Sequence, residues 1–304
     1  MRILVTGPSG AIGAALARSL GGEHELRGLS RDPSRVAADL PLELFRGDAL
    51  SGAGLDAALA DVEVAYYLIH SMEPATDAGF EQRDRLAAER FARAAAQAGV
   101  QRIVYLGGLL PLAGRTSAHL RSRGEVERIL LAAVPDSVAL RASLVVGARS
   151  RSFRAIVSLI ERLPVVPLPP WRDNRTQPID ERDAIAYLAA AATAAGAGGR
   201  VFDIAGPEVL SYGAMIERIA GLLLLARPTV RLRLTAGPLA AALAAAVSGQ
   251  PNALLGPLMR SLEFDLLADD STAREAFAVP LHGFDAAVEH ALREWDELGP
   301  RIPR

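Results

Sequence analysis

The stretch LVTGPSGAIG, near the amino terminus, constrains the fold more than any other part of the chain. It joins an apolar run typical of a buried strand directly to a helical pattern. Gly7, Gly10 and Gly13 lie between the two with the spacing G-x-x-G-x-x-G. Such glycines permit a tight turn, a close approach of the backbone to a pyrophosphate and close packing of helix on strand. Because the first turn of the helix also offers free N–H groups to an anion, the motif predicts a dinucleotide-binding loop rather than a turn without a ligand.

Strand and helix patterns alternate through the first half of the chain. Runs such as RILVT, VAYYLI and RVFDI are mostly apolar on both faces, which indicates buried strands of a parallel sheet. After Gly147 the alternation weakens, and helical patterns dominate from about residue 207. The predicted fold is α/β: a doubly wound parallel Rossmann sheet with a small, mainly helical C-terminal substrate lobe. We expect the sheet domain to cover residues 1–150, rejoined by about 178–206, and the lobe to cover 151–177 and 207–304.

Composition excludes several classes of function. Half of the 304 residues are hydrophobic, and the 33 basic and 35 acidic residues form no run of like charge, so no nucleic-acid partner is expected. The absence of cysteine excludes disulfides and thiolate chemistry, and five histidines without paired spacing predict no metal site. No apolar stretch is long enough to span a membrane. We therefore expect a cytoplasmic protein that binds a small molecule and could form a homodimer.

The end of the second strand, LRGLSRDP, bears on the choice of cofactor. An acidic residue at this place binds the ribose 2′-hydroxyl of NAD, whereas an arginine accommodates the 2′-phosphate of NADP. Ser30 and Arg31 occupy the turn, and Asp32 follows as the alternative ribose ligand. The sequence favours NADP and leaves NAD open.

A second polar group follows the fourth strand, in YYLIHSM. His70 and Ser71 are predicted just beyond the carboxyl end of that strand, where ligands bind in open α/β sheets. Tyr66 and Tyr67 belong to the strand, so at most one of them can face the ligand.

These stretches together resemble the short-chain dehydrogenase/reductase superfamily in its extended and atypical branches, over most of the chain. The matching motifs are TGPSGAIG, RGDAL, AYYLIHSM, AGVQRIVYLGG, LRASLVVG and QPIDERDAIAYL. HLRSR and VFDIAGPEVLSY are similar to an atypical group of NAD(P)-binding oxidoreductases and epimerase-like proteins. The resemblance implies that Asp48 lies near the adenine of the cofactor.

The loop motif, the strand ends and the resemblance together predict one set of cofactor contacts. These residues are Thr6, Gly7, Ser9, Gly10, Ala11, Ile12, Gly13, Ser30, Arg31, Asp48, Ala49, Ile69, His70, Ser71 and Gly107.

The stretch HLRSRGEVE places His119, Arg123 and Glu127 on one face of a predicted helix. The superfamily's active helix carries Tyr-x-x-x-Lys, and by position His119 replaces the tyrosine and Arg123 the lysine. Gly107 and Gly108 stand where the family has serine. The resemblance thus implies a non-standard active site.

These residues could still support part of the chemistry of carbonyl reduction. An imidazolium could supply the proton that carbonyl reduction needs, whereas an arginine stays charged and cannot relay one. Arg123 could hold ribose hydroxyls or an anionic group, and Glu127 could pair with it across one helical turn. His119, Arg123 and His70 are the predicted catalytic residues, with polar lining of the cofactor site as the alternative for both histidines.

The substrate side is predicted to be mostly apolar. Gly108, Leu109, Phe153 and Trp171 are its candidate contacts, although core packing would also explain the aromatic residues. Several arginines nearby in sequence leave an anionic substrate group open: Arg149, Arg151, Arg154, Arg172 and Arg175.

The predicted function is an NADP-dependent oxidoreductase that acts on a largely apolar small molecule by hydride transfer. Two alternatives stay open: a non-catalytic NAD(P)-binding sensor or assembly protein, and a redox-neutral epimerase or isomerase with tightly bound cofactor.

Overall fold

A computed structural model of the chain describes residues 1–69, 79–110, 117–232 and 262–299, without the side chains of residues 118 and 119. The described strands are β1 (Arg2–Thr6), β2 (Glu25–Ser30), β3 (Glu43–Arg46), β4 (Val64–Tyr67), β5 (Arg102–Gly108), β6 (Val138–Ala142), β7 (Val145–Val146), β8 (Val166–Leu168), β9 (Arg175–Thr176), β10 (Ile179–Asp180), β11 (Arg200–Ile204), β12 (Leu210–Ser211) and β13 (Thr229–Arg231). The described α-helices are α1 (Ala11–Leu20), α2 (Leu55–Leu59), α3 (Phe80–Gln97), α4 (Ala118–Ala133), α5 (Arg151–Arg162), α6 (Glu181–Ala191), α7 (Tyr212–Leu222), α8 (Ser271–Phe277) and α9 (Phe284–Leu298). Two short 3-10 helices cover Pro33–Arg35 and Pro170–Asp173.

Seven strands form one parallel sheet in the order β3-β2-β1-β4-β5-β6-β11. The chain first moves outward from β1 to β3 and then crosses back to β4 on the other side of β1. This reversal leaves a crevice at the carboxyl ends of β1 and β4, which is where ligands bind in open α/β sheets. The predicted doubly wound parallel sheet is confirmed.

Helices cover both faces of the sheet, because its strands are apolar on both sides. On one face α1 and α6 pack against side chains such as Ile3 and Tyr66. On the other face α2, α3 and α4 pack against Leu4, Tyr67 and Tyr105. The amino ends of α3 and α4 therefore lie at the same edge of the sheet as the amino end of α1.

A third apolar core lies outside the sheet and is built from α5, α7 and α9. Phe153, Met215 and Val288 are fully or almost fully buried there. Short strand pairs, β7 with β10 and β8 with β13, connect this core to the rest of the chain. Among the described residues, no helix is both long and apolar enough to cross a membrane. The assignment of these segments to a separate substrate lobe stays a prediction.

The mostly apolar stretch VALRASLVVG forms two strands rather than one. β6 ends at Ala142, and the hydroxyl of Ser143 then donates to the carbonyl of Gln177 at 2.7 Å. The chain thereby leaves the large sheet, and β7 pairs with β10 instead. A partner more than thirty residues away decides this break, so local pattern could not predict it.

Candidate functional site

The glycine loop adopts the predicted strand–turn–helix geometry. Gly7 has a φ of +67°, which favours glycine, and its carbonyl accepts from the N–H of Gly10 at 3.0 Å. A Cβ at Gly13 would lie 3.0 Å from the carbonyl carbon of Gly7 and 3.2 Å from the Cα of Pro8. Gly13 therefore lets α1 begin directly against the loop.

The amino end of α1 has no side-chain cap. Gly10 is the N-cap residue, and Ser9 and Gly10 are both exposed. The first-turn N–H groups, those of Ala11 and Ile12 among them, thus have no side-chain acceptor, which is the arrangement that binds an anion at a helix terminus. Thr6 is buried, and its hydroxyl oxygen accepts from the N–H of Leu68 at 2.9 Å, which fixes the end of β1 against the end of β4.

Asp32, the alternative ribose ligand, is engaged locally. Its Oδ1 accepts from the hydroxyl of Ser34 at 2.6 Å and from the N–H of Ser34 at 3.2 Å. The hydrogen bond from the Ser34 hydroxyl is the main reason that the pKa of Asp32 lies below its ordinary value, and the nearby charges of Arg35 and Arg46 lower it further. Ser30 is buried and donates to the carbonyl of Asp32 at 3.0 Å.

Arg31 is exposed at the same strand end. Arg35 and Arg46 lie close enough to the Asp32 carboxylate to lower its pKa, so the ends of β2 and β3 carry more positive than negative charge.

The predicted adenine side lies at the loop after β3. Asp48 Oδ1 accepts from the N–H of Leu50 at 2.9 Å, and Ala49 is buried. Ile69, after β4, packs against the core that α2 and α3 cover. His70 and Ser71, predicted to follow it, lie outside the described residues.

Both tyrosines of β4 have buried rings. Tyr66 is fully buried, and its hydroxyl donates to the carbonyl of Leu188 on α6 at 2.9 Å. Tyr67 is also buried and packs on Phe91 of α3 with ring centroids 5.0 Å apart. The two tyrosines thus point to opposite faces of the sheet, as predicted, and both are packed in the core.

Helix α4 begins as predicted, with Ser117 as its N-cap. His119 belongs to its first turn, but its side chain lies outside the described part of the structure. Arg123 is buried, with 7% of its surface exposed. Glu127 is paired with Arg141 of β6 through two 2.7 Å hydrogen bonds, so its expected pairing with Arg123 is not the one it makes.

The candidate substrate contacts fall into two places. Gly107 and Gly108 end β5 at the carboxyl edge, and Leu109 follows, buried in a small cluster with Leu120 of α4. Phe153 is fully buried in the third core, where its burial favours core packing.

Trp171, the fourth candidate contact, is only partly buried against the third core, and its ring meets that of Tyr212 edge-on, with centroids 6.1 Å apart. Its Nε1 is buried and has no hydrogen-bond partner. The indole thus offers a donor that nothing in the described structure satisfies.

Three arginines of the third core already have partners. Arg175 forms a two-nitrogen contact with Asp265 at 2.9 and 3.0 Å. The guanidinium of Arg172 lies 3.5 Å from Glu217, and that of Arg154 lies 4.3 Å from the ring centroid of Trp295.

Arg83, on the first turn of α3, was not predicted from the sequence. Its Nε and Nη2 atoms are buried and have no hydrogen-bond partner among the residues that the structure describes. These two nitrogens form the edge of the guanidinium that binds an oxyanion side-on. In the sequence Arg83 is one of several arginines in an amphipathic helix, so no signal distinguishes it.

Among the described residues, one acidic group could supply several metal ligands. Asp180, Asp183 and His282 have ligand atoms within 4.8 Å of one another. Asp180 already caps α6 and pairs with Arg182 at 2.6 Å, and Asp183 accepts from the N–H of His282 at 2.8 Å and approaches its Nδ1 at 2.5 Å. These bonds account for the cluster as a link between α6 and the segment before α9.

Comparison with known proteins agrees with this geometry. Residues 7–133 match a family model described as NAD(P)H-binding. A curated relative from Streptomyces griseus subsp. griseus, (4-alkanoyl-5-oxo-2,5-dihydrofuran-3-yl)methyl phosphate reductase, is 26% identical over 230 residues, which cover 72% of this chain and 74% of the relative.

Two solved structures share the fold over nearly the whole chain. The structure of gox2253 superposes on this chain with a TM-score of 0.78 at 19% identity, and the alignment covers 99% of each chain. UDP-glucuronic acid 4-epimerase from Bacillus cereus, in complex with UDP-glucuronic acid and NAD, has a TM-score of 0.74 at 17% identity, over 98% of this chain and all of that one. The resemblance predicted from the motifs is confirmed at this level: residues 7–133 match an NAD(P)H-binding family model, and the chain shares its Rossmann-type α/β fold with gox2253 and with an NAD-bound epimerase.

Proposed function

We propose that the chain is an NADP-preferring oxidoreductase that reduces a largely apolar small molecule at the carboxyl edge of the sheet. The observation that carries this proposal is the uncapped amino end of α1 against a glycine turn that leaves room for a pyrophosphate. The bound cofactor would supply hydride, and the protein would orient substrate and cofactor and manage the proton.

The residues present fit a dinucleotide. Gly7 permits the turn and Gly13 the close packing of α1 on it, so that the first N–H groups of the helix face the phosphates, and two guanidinium nitrogens of Arg83 without partners among the described residues match a phosphate or another oxyanion. Asp48 and Ala49 would border the adenine. A buried guanidinium edge without a partner is costly, which favours a ligand that completes it.

The preference for NADP is supported by the end of β2. Because Ser34 occupies Oδ1 of Asp32, this carboxylate is less available to ribose hydroxyls. Arg31, with Arg35 and Arg46 nearby, would instead offset the charge of a 2′-phosphate.

His119 and Arg123 would act at the nicotinamide end, since α4 begins at the same edge as α1. His119 would donate a proton, or a hydrogen bond from its neutral ring, to the oxygen of the substrate. Arg123 would stay charged and hold ribose hydroxyls.

The substrate would lie between β5 and the segments 151–177 and 207–304, which we propose as the substrate lobe. Gly108 leaves space at the strand end, Leu109 adds an apolar wall, and Trp171 offers its unpartnered Nε1 as a donor. The Streptomyces relative is by name a reductase of a dihydrofuranone phosphate, which supports a reduction and a substrate with an apolar portion.

An epimerase acting on a sugar nucleotide is the weaker alternative. A sugar nucleoside diphosphate needs several free cationic groups on the substrate side, but Arg175 is ion-paired with Asp265 and the Nη2 of Arg172 lies 3.5 Å from Glu217. Of the buried nitrogens on these two arginines, only the Nε of Arg172 lacks a hydrogen-bond partner among the described residues. The other alternative, a non-catalytic NAD(P) sensor, would bind NADPH without consuming it, which the following test distinguishes from an oxidoreductase.

The test combines cofactor binding with turnover. NADPH affinity is measured by fluorescence titration, and NADPH consumption is followed with a panel of apolar aldehydes, enones and the dihydrofuranone phosphate named above. His119→Phe should keep NADPH affinity but slow turnover by about 10²–10⁴, the scale of general acid–base catalysis. His24→Phe, just before β2 at the opposite edge of the sheet, serves as the control.

Two outcomes would contradict the proposal. NADPH binding without consumption of any substrate would favour the sensor. Unchanged turnover in His119→Phe would place the proton transfer elsewhere, with His70 as the next candidate.

A further inference from the structure

Tyr105 fills the space that a side chain at position 107 would need. Both residues belong to β5 and, two positions apart, face the same side of the sheet. A Cβ built on Gly107 would lie 2.8 Å from Cε1 of Tyr105 and 3.4 Å from its hydroxyl oxygen. The ring therefore leans along the strand toward the carboxyl edge, and its hydroxyl lies next to the bare backbone of Gly107.

The hydroxyl of Tyr105 also contacts Arg123. It donates to the carbonyl of Arg123 at 3.4 Å, and the charge of the Arg123 side chain lies close enough to lower the pKa of the phenol. Both side chains are buried, with 1% of Tyr105 and 7% of Arg123 exposed. The phenol thus bonds the backbone of Arg123 and lies near its guanidinium.

The phenol stays neutral in this setting. Burial raises the pKa of Tyr105 above its ordinary value, against the opposing effect of Arg123. Asp84 of α3 and Glu127 of α4 add to the rise. A neutral phenol donates its proton to the carbonyl of Arg123 and leaves the charge of the guanidinium intact.

We propose that Tyr105 is a positioning residue for Arg123, and that Gly107 lacks a side chain because the tyrosine ring occupies its place. By bonding the carbonyl of Arg123, Tyr105 fixes the turn of α4 that carries this arginine, so that the guanidinium is held toward the ribose hydroxyls of the dinucleotide. The inference rests on the proposed function, which brings the nicotinamide end to α4.

The first experiment compares two buried hydroxyls in the full chain. Tyr105→Phe removes the hydroxyl but keeps the ring, and Tyr66→Phe does the same on the other face, where the hydroxyl donates to Leu188. Both variants should lose a similar amount of thermal stability. Only Tyr105→Phe should weaken NADPH binding, by roughly five- to thirtyfold, the effect of one lost contact. Equal NADPH affinity in the two variants would reduce Tyr105 to a core residue and overturn the inference.

A double-mutant cycle then tests whether Tyr105 acts through Arg123. Arg123→Gln should weaken NADPH, and adding Tyr105→Phe to it should cause little further loss, because contacting residues are not additive. Losses that multiply in full would mean that Tyr105 acts independently. If the parent chain itself fails to bind NADPH, the proposed function fails; if the parent binds but no coupling is found, only the role of Tyr105 fails.

A last comparison measures the space at position 107 without any cofactor. Gly107→Ala should lower the melting temperature of the parent, because the new Cβ meets the ring 2.8 Å away. In a Tyr105→Leu background the same change should be tolerated. An equal loss in both backgrounds would show that the ring does not fill this space.

Discussion

Replacing Gly13 by alanine should separate the phosphate loop from the helix that follows it. The added Cβ would lie 3.0 and 3.2 Å from backbone atoms of Gly7 and Pro8, and closer still to the carbonyl oxygen of Gly7. Ordinary contacts between carbon atoms are about 3.5–4.0 Å, so α1 must move by roughly 0.5–1 Å. No flexible side chain can absorb this shift, because every atom in the way belongs to the backbone.

The cost can be estimated for both stability and binding. Overpacking of this kind costs about 1–3 kcal/mol, while alanine in place of glycine in a helix returns about 0.5–1 kcal/mol. Gly13→Ala should therefore be mildly destabilised. Charge-assisted hydrogen bonds contribute about 1.5–3 kcal/mol each, so displacing the N–H groups from the pyrophosphate should weaken NADPH about tenfold to a hundredfold.

Gly221→Ala is the matched control, since this exposed glycine also lies in a helix and a Cβ there would meet nothing within 4 Å. It should keep NADPH affinity and stability equal to or above those of the parent. Fluorescence titration of NADPH and thermal unfolding measure the two quantities on each variant. If Gly13→Ala bound NADPH as well as Gly221→Ala does, the start of α1 would not be the pyrophosphate site.

Three shorter predictions concern other parts of the structure. Arg31→Ala should weaken NADPH by about 1.5–3 kcal/mol and leave NADH nearly unchanged, measured by paired titrations; a parallel loss would give Arg31 another role. Arg83→Gln should weaken NADPH at least tenfold while keeping the melting temperature, because it removes an oxyanion partner whose Nε and Nη2 make no hydrogen bond with the described residues; unchanged affinity for NADPH would leave the oxyanion to the substrate. Burial, reinforced by Glu294, raises the pKa of Glu181 from 4.5 to about 7, so the folded state binds the extra proton and stability falls as pH rises through that window. Glu181→Gln should reduce this fall in the free energy of unfolding, measured by denaturant titration at several pH values. A pH profile parallel to that of the parent would refute the assignment of the raised pKa to Glu181.

Local chemistry explains why so much of the sheet could be predicted from the sequence. β1 and β11 occur at the predicted residues, because continuous apolar runs bounded by turn residues have few other ways to be buried. The glycine loop was predictable for a similar reason, as both the turn at Gly7 and the close packing at Gly13 depend on a missing side chain.

The surroundings of the predicted catalytic face could not be read from helical spacing. The sequence places Glu127 one turn from Arg123, but the sheet brings β6 beneath α4, and Arg141 offers Glu127 a two-nitrogen contact that a helical neighbour cannot match.

What the sequence alone determined, then, is the order of strands and helices, the glycine turn after β1 and the absence of thiol chemistry. Only the tertiary structure decided which distant groups meet: the contact of Tyr105 with Arg123, the pairing of Arg175 with Asp265, and two nitrogens of Arg83 without partners among the described residues. The physical reason is that turns and strands depend on neighbours within a few residues. Ion pairs and buried hydroxyls depend on which strands lie side by side, and that order is set by packing across the whole chain.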